Sequence, residues 1–276
     1  MYDRDLTETT KGALVELLLS LGGYRQDIVL AGGWAPYFLT RNHFNHCGSV
    51  DIDLVLRPSI IVKYQRIQNI IKNLGYQQTP NIFRFKRKLT SPKTNREYTI
   101  HLDFLTEPYA VTETIEKERL IEVQKDLKAC LIEGSNIVFD FNCQENIEAT
   151  IPRNGEASTP ANVADIVGCL SMKGQALLGR LKDKDYYDIY AVTGFHKGNP
   201  QRAGEAFAQS IKEKSFNIKH PIIRSSLSAI RNSFSNLTRI GPSIVSRFIG
   251  TDTRTDAYER VNRFLQIVDA ELHVRQ

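Results

Sequence analysis

Residues 48–58, GSVDIDLVLRP, constrain this chain more than any other stretch. The apolar Val50, Ile52, Leu54 and Leu56 predict a strand, and side chains two apart on a strand point to the same face. Asp51 and Asp53 therefore emerge together. Two carboxylates held that close repel, and the arrangement persists readily only with a cation between them. A hard divalent ion such as Mg²⁺ suits an all-oxygen donor set. The small residues Gly48 and Ser49 come just before, where a phosphate could approach backbone and hydroxyl donors.

Around this strand the pattern predicts alternating elements. Leu14, Leu17, Leu18 and Leu21 have helical spacing over residues 7–21. DIVLA, residues 27–31, reads as a short strand that ends at Gly32-Gly33. WAPYFLTR then starts a helix whose first turn tolerates Pro36. A helix is expected from Pro58 to about Leu74, before Gly75. Strands are expected at 81–89 and 96–106, joined through the turn chemistry of TSPKTN. In the second, Tyr98, Ile100, Leu102 and Phe104 share one face and Thr99, His101 and Asp103 the other.

Residues 121–151 read as short β segments with a turn at Glu133-Gly134-Ser135-Asn136. PRNGEASTPAN, 152–162, reads as a linker. Helices are expected at about 161–180, 183–194, 199–214, 221–236 and 253–273. The fold class is therefore α+β, with an α/β domain over 1–155 and an α-helical domain over 156–276.

The chain has 276 residues, 41% of them hydrophobic, enough for real cores. No window is apolar for long enough to span a membrane, and the N-terminus reads as an amphipathic helix, not a signal peptide. The four cysteines, Cys47, Cys130, Cys143 and Cys169, form no CxxC pair, which fits a reducing cytoplasm. His43, His46 and Cys47 crowd together, but no second ligand pair with the spacing of a closed zinc site follows. Residues 211–276 hold eleven Lys or Arg against six Asp or Glu, which equals the whole net charge of +5. A basic region beside an acidic strand suits a polyanionic partner, and it equally suits a solvated helix surface.

Gly-Gly between strand and helix, then Gly-Ser and Asp-x-Asp on a strand, then a lone Asp on a later strand: this order resembles the nucleotidyltransferase superfamily that includes DNA polymerase beta. The matching residues are Gly32-Gly33, Asp51-Ile52-Asp53 and Asp103. LAGGWAPYFLTRNHFNHCGSVDIDLVL looks closest to the AbiEii/AbiGii-type abortive-infection toxins. It also shares GGWA and DIDL with aminoglycoside and lincosamide nucleotidyltransferases. KGQALLGRLKDKDYYDIY, 173–190, is similar to a toxin-group helix-turn-helix carrying a Lys, an Arg and an Asp-x-x-Asp pair, here Lys173, Arg180, Asp185 and Asp188. Trp34 follows Gly33 where many members have Ser, so a hydroxyl contact to phosphate would rest on Ser49. The last 85 residues or so carry no such resemblance.

The resemblance implies a nucleotidyltransferase-type mixed sheet with flanking helices and a metal-dependent transfer of NMP from an NTP to a hydroxyl. Asp51, Asp53 and Asp103 would hold two Mg²⁺ ions, with Mn²⁺ as a substitute. Gly32 and Gly33 would let backbone approach the triphosphate, and the helix from Trp34 would add N–H groups and a favourable dipole. Lys173 and Arg180 would neutralise phosphates, and Asp185 or Asp188 would orient one of them. The acceptor implied is RNA, with the tRNA acceptor end foremost, and the expected protein partner is a cognate antitoxin. Alternatives are an antibiotic-modifying enzyme, a protein-modifying nucleotidyltransferase and a non-enzymatic nucleotide-binding module.

Overall fold

A computed structural model describes residues 3–58, 60, 63, 65–107, 120–152, 155–216 and 218–272. Two compact units are present among the described residues: one comprises 3–34 and 47–164, the other 35–46 and 165–272. The segment 35–46 thus groups with the C-terminal helices, whereas the sequence predicts a single cut near 155.

The first unit is built on a mixed, open sheet. Among the described residues its strands are β1 (Ile28–Leu30), β2 (Asp51–Leu56), β3 (Gln77–Gln78), β4 (Arg84–Thr90), β5 (Glu97–Thr106), β6 (Leu120–Gln124), β7 (Leu127–Leu131), β8 (Asn142–Thr150) and β9 (Glu156–Ala164). The main order is β3-β4-β5-β2-β1-β9-β8, with β7 beside the end of β5 and β6 beside β7. β2 runs parallel to β5, and β4 and β5 form an antiparallel hairpin across the TSPKTN turn. Alternation is clearest in β4, where Phe85, Arg87 and Leu89 are buried while Lys86, Lys88 and Thr90 are exposed.

Helix α1 (Arg4–Leu21) packs on β8 and β9 and reaches β2 and β5. Asp3 caps it by accepting the Asp5 N–H. Its one buried acid, Glu16, pairs with the guanidinium of Arg87.

Two expectations are corrected in this unit. PRNGEASTPAN is no linker over its length: 156–162 lie in β9, which pairs with β8 from Thr150↔Glu156 to Asn142↔Ala164. Residues 153 and 154 lie outside the described residues. Ala157, Thr159, Ala161 and Val163 alternate with more polar neighbours, and β8 supplies the ladder partners that outweigh the turn-like composition. The helix expected from Pro58 is confined to α3 (Ile67–Asn73), and 59, 61, 62 and 64 lie outside the described residues. The buried Tyr24 hydroxyl accepts the Lys63 N–H at 2.7 Å and donates to the Gln65 carbonyl at 2.8 Å. That side chain takes the backbone groups a helix would have used.

The second unit holds α2 (Trp34–Thr40) from its second residue on, with α5 (Ile166–Gly179), α6 (Asp183–Phe195), α7 (Pro200–Glu213), α8 (Pro221–Ser233), α9 (Ile240–Ile249) and α10 (Arg254–Glu271); the short α4 (Ile137–Asp140) belongs to the first unit. α5 packs on α8 closely enough that a Cβ on Gly174 would stand 2.5 Å from the Ser226 Cβ. α9 has no counterpart among the expected helices. Gly241 and Pro242 look like breakers, but Pro242 sits in the first turn, where its missing N–H is no loss. Among the described residues no helix is long and apolar enough to cross a membrane.

Tyr24→Phe removes one hydroxyl that serves two backbone groups, leaving a peptide N–H without its partner. Unfolding in urea should show a loss of about 2 kcal/mol.

Candidate functional site: a carboxylate corner and a buried ionic cluster

Asp51 and Asp53 alternate with buried Ile52, Leu54 and Leu56, so burial of the apolar set turns both acids to the opposite face. In the parallel β2–β5 ladder Asp53 stands opposite Asp103 and Asp51 opposite His101. In-register neighbours share a face, so all three carboxylates rise from one corner of the sheet. The strand spacing there is roughly 4.8 Å. Asp103 is buried, while Asp51 and Asp53 are partly open.

The Gly-Gly turn lies against this corner. Gly32 has φ of +58°, and a Cβ there would come within 1.8 Å of Asp53 Oδ2. Glycine is thus required twice, for its left-handed backbone and for the closeness of the carboxylate. The Ala31 N–H donates to the Asp53 carbonyl at 3.0 Å, tying the turn to β2. Gly33 follows directly, in the turn that leads into α2. Ser49 is buried, and its hydroxyl donates to the Asp51 carbonyl at 3.0 Å. The phosphate contact expected of Ser49 would require that bond to be exchanged.

Arg84, which no sequence motif marks, completes the corner. It faces Asp103 across the β4–β5 ladder and binds it bidentately, Nε to Oδ1 at 2.7 Å and Nη2 to Oδ2 at 2.5 Å. The hydrogen bond to Asp103 raises the Arg84 pKa, and the fields of Asp103, Asp51 and Asp53 add to it against partial burial. One guanidinium therefore feels all three acids. His101 Nδ1 lies 3.3 Å from Asp51 Oδ1. Among the described residues no group of three or more His, Cys, Asp or Glu side chains is arranged to hold a metal ion. Oxygen chemistry and shared face suit Mg²⁺, but both Asp103 oxygens are turned onto Arg84. The hairpin pattern held the clue: a tight turn at TSPKTN places an alternate residue of β4 opposite Asp103.

The helical unit carries the second constellation. Lys173 on α5 reaches α6, its Nζ 2.7 Å from Asp185 Oδ1. Its second contact, 2.6 Å from Asp188 Oδ2, is an ion pair without hydrogen-bond alignment. Arg180 Nε donates to Asp185 Oδ2 at 3.0 Å, with its side chain 58% exposed. Of the two candidate orienting acids, Asp185 is the one that touches both expected phosphate-binding cations. Asp188 instead holds Lys184 at 2.8 Å and His46 at 3.0 Å, two buried partners the sequence did not reveal.

Burial would push the Lys173 pKa down, but Asp188 and Asp185 more than offset it and the net shift is upward. Burial would raise Asp188, yet Lys173, Lys184 and His46 hold it well below the usual carboxylate range. Asp185 is lowered too, against its burial, by Lys173 and Arg180. Burial lowers His46 to about 4 despite its bond to Asp188, so the ring is neutral near pH 7. The carboxylate can only accept, so Nε2 carries the ring proton. His46 thus spends that nitrogen on Asp188, not on a metal. Three cations, Lys173, Lys184 and Arg180, face two acids, which leaves a cationic surplus.

The sequence matches no protein-family model and no curated protein.

His46 supplies a pH test. Its pKa is about 4 in the folded protein, against an ordinary histidine value of 6.5. The unfolded chain therefore binds the extra proton between those values, and stability should fall as pH drops through that window, by up to about 3 kcal/mol. Asp188, being depressed, loses its contribution only below its ordinary value of 3.8. Urea unfolding at pH 7 and pH 4.5 should show a steeper loss for the wild type than for His46→Gln.

Proposed function

We propose that this chain is a metal-dependent nucleotidyltransferase that moves NMP from an NTP to a hydroxyl acceptor, with RNA as the acceptor class. The observation that carries the reading is the common face of Asp51, Asp53 and Asp103 on adjacent parallel strands, with Gly32 in contact with Asp53. The nucleotidyltransferase-type sheet, the toxin-like role and a partner antitoxin belong to the same proposal.

In the reaction the acceptor hydroxyl oxygen attacks the α-phosphorus and loses its proton. A new P–O bond forms, the bond to the bridging oxygen breaks, and pyrophosphate leaves with the electron pair. Asp51 and Asp53 would hold Mg²⁺, and Asp103 would join them once released from Arg84. The bound ions would supply charge neutralisation on the attacking and leaving oxygens. Asp103 would also be placed to accept the hydroxyl proton. Arg84 keeps a cation beside the acids, which offsets their mutual repulsion in the resting protein. The surplus positive charge around Lys173 and Arg180 suits the neutralisation of phosphate oxygens, with Asp185 holding both side chains in place.

An aminoglycoside acceptor would want an acidic surface, whereas the exposed face of β4 carries Lys86 and Lys88. This favours a polyanionic acceptor.

Incubation with labelled NTPs, Mg²⁺ and total tRNA should label RNA, and no labelling with any of the four nucleotides would sink the proposal. Asp51→Asn should lower transfer by at least ~100-fold while leaving the melting temperature unchanged or higher, because a like-charge repulsion is relieved. Arg84→Gln frees the Asp103 carboxylate, and titration calorimetry should find Mn²⁺ bound several-fold more tightly than by the wild type.

A further inference from the structure

The basic C-terminal region is the obvious place for a polyanion, but much of its charge is paired internally. Lys212, Arg231, Arg254 and Arg260 hold Glu271, Asp269, Asp252 and Asp256, and Arg247 holds Asp183. A different set of cations lies on the sheet. β4 alternates Arg84, Lys86 and Lys88 on the face that carries Asp103, while Phe85, Arg87 and Leu89 point into the core. Register continues the face across β5, with Lys86 opposite His101 and Lys88 opposite Thr99.

Lys86 is exposed and has no acidic partner among the described residues. Lys88 is 70% exposed, and its one ion pair, with Glu97 at 2.8 Å, is a surface contact. Such pairs are worth little in water and are readily exchanged. Alternate residues on a strand stand roughly 6.8 Å apart, close to the phosphate-to-phosphate step of an extended nucleic-acid strand. From Arg84 to Lys88 the row runs about 14 Å away from the carboxylate corner.

We infer that the exposed face of β4 is a track for the backbone of a single-stranded RNA, with phosphates at Lys86 and Lys88 and the strand's end delivered to the carboxylate corner. This rests on the nucleotidyltransferase reading for the purpose of the strand's end, but the binding surface is tested separately. A single row of cations along the face of one strand matches one nucleic-acid strand better than a duplex, which presents two phosphate rails. Binding here is sequence-independent, because the row offers charges to phosphates and no reader of base edges.

The test is fluorescence anisotropy of a 5′-fluorescein-labelled single-stranded RNA with the full chain across a series of salt concentrations. Lys86→Gln/Lys88→Gln should weaken binding roughly tenfold at low salt and reduce the slope of log K against log salt by about 1.4. Lys86→Arg/Lys88→Arg should restore both, and circular dichroism melts should coincide for all three proteins. Unchanged affinity in the Gln pair, no RNA binding by the wild type at low salt, or an equal loss from Lys212→Gln/Lys214→Gln would overturn the track. So would a preference for anionic phospholipid vesicles that the Gln pair abolishes while RNA binding stays unchanged. Transfer assays separate this from the chemistry. Binding through the row with no labelling of RNA leaves the track standing and removes the transferase reading. Labelling with an unchanged KM for RNA in the Gln pair does the reverse.

Discussion

The parallel pairing of β2 with β5 is the constraint on which the site depends. Asp53 and Asp103 are 50 residues apart in the chain, yet they become cross-strand neighbours through one register. A slip of one residue would send Asp103 to the opposite face, into the layer of Ile100, Leu102 and Phe104. Those buried side chains, with Ile52 and Leu54 on β2, make that slip expensive. The hydrophobic layer beneath the sheet thus holds three acids together above it. Their repulsion is met by Arg84, which the antiparallel hairpin delivers to the same corner.

The helical unit meets a comparable problem inside its core. Lys173, Lys184, Asp185 and Asp188 are all buried. Taking such charges from water is unfavourable unless each finds partners in good geometry. Here Asp188 is shared by two lysines and a neutral histidine, and Asp185 by a lysine and an arginine. Removing one member would leave another charge buried without compensation. Apolar residues of similar size would fill the volume more cheaply, so packing alone does not account for the cluster. The one cation of the cluster that reaches well into solvent is Arg180.

On the sheet the rule is simpler. An apolar periodicity decides which residues are hidden, and the polar residues left over are gathered on the remaining face. On β4 the gathered residues are Arg84, Lys86, Lys88 and Thr90, while the strand's other face supplies Phe85 and Leu89 to the core and Arg87 to the Glu16 pair. The result is a face with a carboxylate corner at one end and the two exposed lysines of β4 leading away from it.

Much of this was written locally. Asp-x-Asp among Val, Ile and Leu announced two acids on one strand face, and the alternation of 97–106 announced a third on another. The helical periods of α1, α5, α6, α7, α8 and α10 were visible because amphipathic spacing depends on neighbours within a few turns. What escaped were contacts between distant segments. β9 looked like a linker until β8 supplied its ladder, the helix after Pro58 gave way to a tyrosine hydroxyl, and α9 hid behind Gly241 and Pro242. Arg84, Lys184 and His46 carry no motif, and their roles arise from register and burial. Short-range pattern could name the acids and the helices, since alternation and helical repeat are properties of adjacent residues. Which cation balances each acid was settled by folding, since a charge finds its partner through space and not along the chain.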